Sequence, residues 1–92
     1  MKDELLLETR VSALGAVDRL HILQALSTPL THSELAERLK QPLGVRHHLA
    51  ILIDAGLVVK EKVDRRTVVY GRAEGVLVET ISSLLEYIQR GV

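Results

Sequence analysis

The sequence predicts a mostly α-helical domain that carries one small β-hairpin. Three observations lead there. Apolar residues recur at helical spacing in five separate segments, two valine-rich runs flank the triplet Asp64-Arg65-Arg66, and Gly or Pro punctuates the joins. At 92 residues the chain makes a single domain, 1–92, with a modest core, so a partner subunit would help stability. Apolar residues are 47% of the chain and aromatics 2%. The core is therefore aliphatic, and stacking of bases on rings cannot be a main binding mode.

The first helix is expected from Asp3 to about Leu14, with Leu5, Leu6, Leu7, Val11 and Leu14 at helical spacings and Gly15 ending or bending it. Asp3 and Glu4 suit its positive end. A second helix runs from about Asp18 to Leu26. Leu20, Ile22, Leu23 and Leu26 give it an apolar face, and Asp18 is its candidate cap. Pro29 cannot continue a helix, so STPLT is a short strand or turn. Thr31-His32-Ser33-Glu34 then has the capping-box spacing, in which the Thr side chain and the Glu side chain satisfy each other's amides. It opens a third helix from His32 to Leu39 or Lys40.

Pro42 suits the first turn of a fourth helix, from about Pro42 to Ala55, with Gly56 as its stop. Val45, Leu49, Leu52 and Ile53 fall on one side of it. Leu43, Arg46, His47, Ala50 and Asp54 fall on the other. Leu57 to Val63 and Thr67 to Arg72 are the strands of the hairpin, with Lys60 and Lys62 alternating with valines. The last helix, Val76 to Gln89, carries the stripe Leu77, Ile81, Leu84, Leu85 and Ile88. Two helices joined by a tight turn and followed by a two-stranded wing form a winged helix-turn-helix. Residues 31–55 are the helix-turn-helix, 57–72 the wing, and 1–14 and 76–90 the terminal dimerisation helices around a three-helix core.

Net charge is zero, which by itself disfavours nucleic acid, but the charge is unevenly placed. Residues 44–72 hold six basic side chains against three acidic ones, whereas residues 73–92 hold Arg90 against Glu74, Glu79 and Glu86. Positive charge thus gathers on the reading helix and wing. The residues expected at double-stranded DNA are Gln41, Leu43, Gly44, Arg46, His47 and Ala50 from the helix and its approach, and Lys60, Lys62, Arg65, Arg66 and Thr67 from the wing. Arg46 can hold a guanine edge bidentately or a phosphate. The small Ala50 permits close approach, and arginines at a wing tip hold phosphates or enter the minor groove. His48 lies toward the flank of the buried face, where a packed, hydrogen-bonded histidine is expected. The same features also fit a winged helix that docks a protein partner, a reading the zero net charge and thin basic patch motivate.

The terminal helices carry more apolar side chains than a three-helix core can cover. Leu5, Leu6, Val11, Leu77, Ile81, Leu84, Leu85 and Ile88 are therefore expected to form a homodimer interface. Other classes find little support. There is no cysteine for a disulfide or thiolate site, no apolar run of membrane-spanning length and no signal-peptide pattern, so a cytoplasmic protein is expected. The four histidines, His21, His32, His47 and His48, are spread over three segments, without the convergence a metal needs, so neither metal nor cofactor is expected. No Gly-x-Ser-x-Gly elbow or glycine-rich phosphate loop is present, and no enzyme is expected.

At SALGAVDRLHILQAL, THSELAERL, VRHHLAILIDAGLV and VVKEKVDRRTVVYGR the chain resembles the ArsR family of small dimeric transcriptional repressors, over roughly residues 12–72. Arg19, Leu20, Ile22 and Leu23 match the family's Arg-Leu-x-Ile-Leu core, and Glu34, Leu35 and Ala36 its Glu-Leu-Ala helix. His48, Leu49, Leu52, Ala55, Gly56, Leu57 and Val58 match in register the phrase that ends its reading helix. MarR-like proteins share much of this pattern. Arg46 and His47 stand where the family often has Ser-Arg, Ala16-Val17 replaces a common Asp-Pro, and the connection from Leu39 to Val45 is one residue shorter than usual. The resemblance implies a dimeric DNA-binding repressor. It does not extend to metal sensing, because the third helix has no Cys-x-Cys and the last helix no histidine.

Overall fold

The computed structural model describes residues 2–40 and 44–90. The elements run α1 (Lys2–Leu14), α2 (Val17–Ala25), α3 (His32–Leu39), α4 (Val45–Asp54), β1 (Val58–Lys62), β2 (Val68–Arg72) and α5 (Glu74–Arg90). This is the mostly α fold with a two-stranded antiparallel hairpin that the sequence predicts. Gln41, Pro42 and Leu43, which include the expected start of α4 and two expected DNA contacts, lie outside the described residues.

Local chemistry sets most of the boundaries. Thr31 accepts from the Glu34 amide at 3.2 Å while the Glu34 carboxylate accepts from the Thr31 amide at 2.9 Å, which completes the capping box of α3. Those bonds hold the Glu34 carboxyl below its ordinary pKa. At the far end of α4, Gly56 takes φ +78°, a left-handed conformation that glycine adopts without steric cost. The Gly56 amide then donates to Ile53 and the Leu57 amide to Leu52, both at 2.9 Å, closing a Schellman motif. Leu52 and Leu57 are both wholly buried at this stop, so the chain enters the wing from inside the core.

Two expectations need correction. Asp18 does not cap α2. The cap position is Ala16, without a side-chain hydrogen bond, and Asp18 sits inside the first turn. The last helix starts at Glu74, two residues before the expected Val76, because Ala73 already lies in a bonded frame. Its amide donates to Leu57 and its carbonyl accepts from Leu77.

The hairpin pairs Val58 with Arg72 and Lys62 with Val68 at its two ends. STPLT supplies a third short extended piece: Leu30 and Tyr70 exchange amide bonds of 3.0 and 2.7 Å, fastening the wing to the loop before α3. The core is aliphatic, as the composition requires. Ile22, Leu26, Leu35, Leu52, Leu57 and Val58 are its most deeply buried large side chains. Leu77 and Val76 of α5 pack against it from outside. The rest of α5 and the start of α1 extend beyond this body, giving extents of 49 × 25 × 19 Å. The Cα radius of gyration of 14.2 Å exceeds the about 12 Å expected of a compact domain of this length.

Candidate nucleic-acid interface

Packing decides which side of α4 faces out. Val45, Leu49 and Leu52 are buried in the core, so the 3.6-residue period turns Arg46, His47, Ala50 and Asp54 to solvent. Gly44, exposed, supplies the left-handed cap (φ +87°) that lets the chain enter the helix.

The wing meets this surface. Lys60 and Tyr70 are cross-strand partners, and they line a groove of about 490 Å³ together with His32 and Ser33 of α3 and Arg46 and Ala50 of α4. Arg46 and Lys60 thus border one open groove although fourteen positions separate them in the chain. His32, at the start of α3, has a buried Nε2 without a protein partner in this groove. Lys62 is exposed one pleat further along the strand.

At the tip the Asp64 carboxylate accepts from the amides of Arg66 and Thr67, each at 2.9 Å. These bonds lower the Asp64 pKa. They fold the tip into an Asx turn and leave the Arg65 and Arg66 side chains exposed. Thr67 is half-buried at the base of that turn, where its carbonyl accepts from the Val63 amide at 3.0 Å. Tip order and exposed cations therefore have one cause: the aspartate engages backbone and leaves the guanidinium groups free.

His48 belongs to the internal fabric of the domain, as its flank position predicts. Its Nδ1 lies 3.1 Å from Arg19 Nη1, and its Nε2 3.7 Å from the Asp18 carboxylate.

The residues expected at a dimer interface divide into two sets. Leu5, Leu6, Ile81, Leu85 and Ile88 are exposed, Ile88 by 64%. Val11, Leu77 and Leu84 are half-buried within the chain. Leu77 packs on the core, while Val11 and Leu84 line a cavity of about 290 Å³ between α1 and α5. Val78, 60% exposed, joins the outer set and was missed by reading the stripe as one broad face. Val78, Ile81, Leu85 and Ile88 are spaced three, four and three residues apart and so form a narrow apolar seam along one side of α5. His32, Ser33 and Tyr70 were likewise not singled out for the groove. Only the long-range pairing of the wing with the loop before α3 brings them there.

Among the described residues, no group of three or more His, Cys, Asp or Glu side chains gathers in a way that could hold a metal ion. Nor is any described helix long and apolar enough to cross a membrane.

A helix-turn-helix whose second helix shares one cationic face with a β-hairpin defines the winged helix-turn-helix class. Residues 18–61 match the family model described as a helix-turn-helix domain. The chain is similar to the solved structure of an ArsR-like transcriptional regulator from Rhodococcus sp. RHA1, at 28% identity and a TM-score of 0.85, over 98% of this chain and 90% of that one. It is also similar to the transcriptional regulator HlyU from Vibrio vulnificus CMCP6, at 28% identity and a TM-score of 0.67, over 95% of this chain and 91% of that one. No curated protein matches it in sequence. The chain thus has the winged helix-turn-helix fold of the ArsR-like transcriptional regulators to which it is similar.

Proposed function

We propose that the protein is a sequence-specific, double-stranded DNA-binding transcriptional regulator that acts in the cytoplasm as a homodimeric repressor. One observation carries the reading: the exposed face of α4 and the wing border the same groove, with Arg46 on one wall and Lys60 on the other. A helix about 10–12 Å across fits the major groove, and a flanking hairpin then lies along the adjoining backbone. In this arrangement Arg46 and His47 meet base edges, and Ala50 and Gly44 allow close approach. Gln41 and Leu43 belong to the same proposed contact set on the sequence alone. Lys60, Lys62, Arg65, Arg66 and Thr67 hold the phosphates on the wing side.

The homodimer follows from the outer seam on α5. Val78, Ile81, Leu85 and Ile88 are each more than half exposed, and Leu5 and Leu6 of α1 add to the apolar surface. A row of exposed apolar side chains along one helix is the kind of surface that marks an interaction site. Pairing two copies covers it and sets two reading helices about 34 Å apart, to meet successive major-groove faces of a palindrome. Val11, Leu77 and Leu84 support that interface from behind. A dimer seated on a promoter excludes other proteins by occupancy, which makes repression the simplest outcome.

The test is duplex binding at graded salt. Phosphate contacts release counterions, so the affinity should fall steeply and linearly in log–log form as salt rises. A dimer that ignores duplex DNA at low salt and captures a protein through α4 would overturn the proposal.

A further inference from the structure

Arg19, in the first turn of α2, makes three contacts. Its Nε donates to the Ala13 carbonyl at 2.5 Å and its Nη2 to the Ser12 carbonyl at 3.3 Å. Its Nη1 reaches His48 Nδ1 at 3.1 Å. The first two acceptors belong to the last turn of α1, where helix carbonyls have no partner within the helix and the dipole favours a cation. The third sits on α4, twenty-nine positions away. A guanidinium only donates, so His48 Nδ1 is the acceptor and the ring proton sits on Nε2. That nitrogen faces Asp18 at 3.7 Å, a carboxylate one residue from Arg19. Beyond it, the His47 ring lies 5.7 Å from the His48 ring, tilted by 55°, on the solvent side of α4.

The core does not provide this connection. Val45, Leu49 and Leu52 seat α4 through apolar packing, which decides the face it turns outward but makes no directional bond to the end of α1. The hydrogen bond to His48 is directional, and it originates from the same side chain that closes the end of α1. We infer that Arg19 and His48 form a positioning junction that fixes the rotation of the reading helix against the dimerisation helix. The junction thereby sets where the two reading helices of a dimer fall along the duplex. It rests on the DNA-binding homodimer proposed above, and it adds a role for two residues that themselves touch no DNA.

The experiment uses the full chain and duplex fragments enriched by the wild-type protein from a random-sequence library, rebuilt with the half-site spacing changed one base pair at a time. Arg19→Met, His48→Phe, their double variant and His48→Asn are compared with wild type. Dimer dissociation, DNA affinity and the salt slope are measured for each. Loss of the junction should weaken DNA binding about tenfold. It should flatten the preference for one spacing and leave the salt slope and dimer dissociation unchanged. The double variant should be no worse than Arg19→Met, because the one bond that His48→Phe removes is already lost with Arg19. His48→Asn, whose amide oxygen can accept where Nδ1 does, should recover much of the loss. Should Arg19→Met fail to fold for want of the α1 closure, His48→Phe carries the test alone, since it keeps the bonds to Ser12 and Ala13.

Folded, dimeric variants with wild-type affinity and spacing preference would overturn the junction. So would additive losses, or a salt slope reduced by about 1, which would make Arg19 a phosphate contact. A wild-type protein that enriches no duplex overturns the DNA-binding reading and the junction with it. Wild-type binding matched by the variants removes the junction alone.

Discussion

Replacing Ile81 by Ala tests the dimer from the side chain at the middle of the outer seam. Ile81 is 54% exposed in the protomer. Complete burial of a large aliphatic side chain contributes about 1.5–3 kcal/mol, so the exposed half leaves roughly 0.8–1.6 kcal/mol for a partner to recover. A two-fold interface contains the residue twice, and truncation should cost roughly 1.5–3 kcal/mol per dimer. The dimer dissociation constant should rise roughly 10- to 100-fold. The protomer itself should lose less, because over half of the side chain faced water and Ala favours helix. Sedimentation equilibrium over a range of concentrations reads the constant, and far-UV circular dichroism checks the helix content. Leu77→Ala supplies the contrast. That side chain is half-buried against the core, so its loss should lower the melting temperature more than it weakens association. An Ile81→Ala protein that dimerises as tightly as wild type, or a wild type that stays monomeric at every concentration, would refute the reasoning.

Three further outcomes follow from the same geometry. Thr31→Ala removes the hydroxyl that caps α3 and should cost about 1 kcal/mol; the melting temperature should drop about 4–8 °C, read by thermal denaturation. The Asp64 pKa is lowered by its bonds to the tip amides, so the order it confers is complete above the ordinary aspartate value of 3.8 and is lost only as pH falls below it. The Thr67 amide resonance should titrate with a midpoint below 3.8, and a midpoint at or above it would contradict the turn. Replacing Arg65 and Arg66 together by Ala should weaken binding to all duplexes alike and reduce the salt slope by about 1.8 per protomer, if each holds one phosphate.

Much of the fold was legible because its signals are local. The Thr31–Glu34 box, the Gly56 stop and the Val45–Leu49–Leu52 period each use residues within one or two turns, and each stands where the sequence puts it. Asp18 was misjudged for an instructive reason. An acid near a helix start is a cap by default, but here the helix begins one residue before it and its carboxylate turns toward His48. The start of α5 was missed because Glu74 has no apolar partner in the stripe. It is held instead by the Ala73 backbone and an ion pair with Arg72, whose Nη1 also donates to the Leu23 carbonyl at 3.1 Å. The division of α5 into a core side and an outer seam depends on where α1 lies, which periodicity alone does not specify. The groove that unites Arg46 with Lys60 also depends on tertiary contacts, notably the Leu30–Tyr70 bridge.

The central claim is that α4 and the wing engage one duplex together. Backbone amide resonances followed while an enriched duplex is added test it most directly. The account predicts the largest shifts at Arg46, His47 and Ala50 and at Lys60, Arg65 and Arg66, with Val78, Ile81 and Leu85 undisturbed. Shifts confined to α1 and α5, or to the helix without the wing, would contradict it.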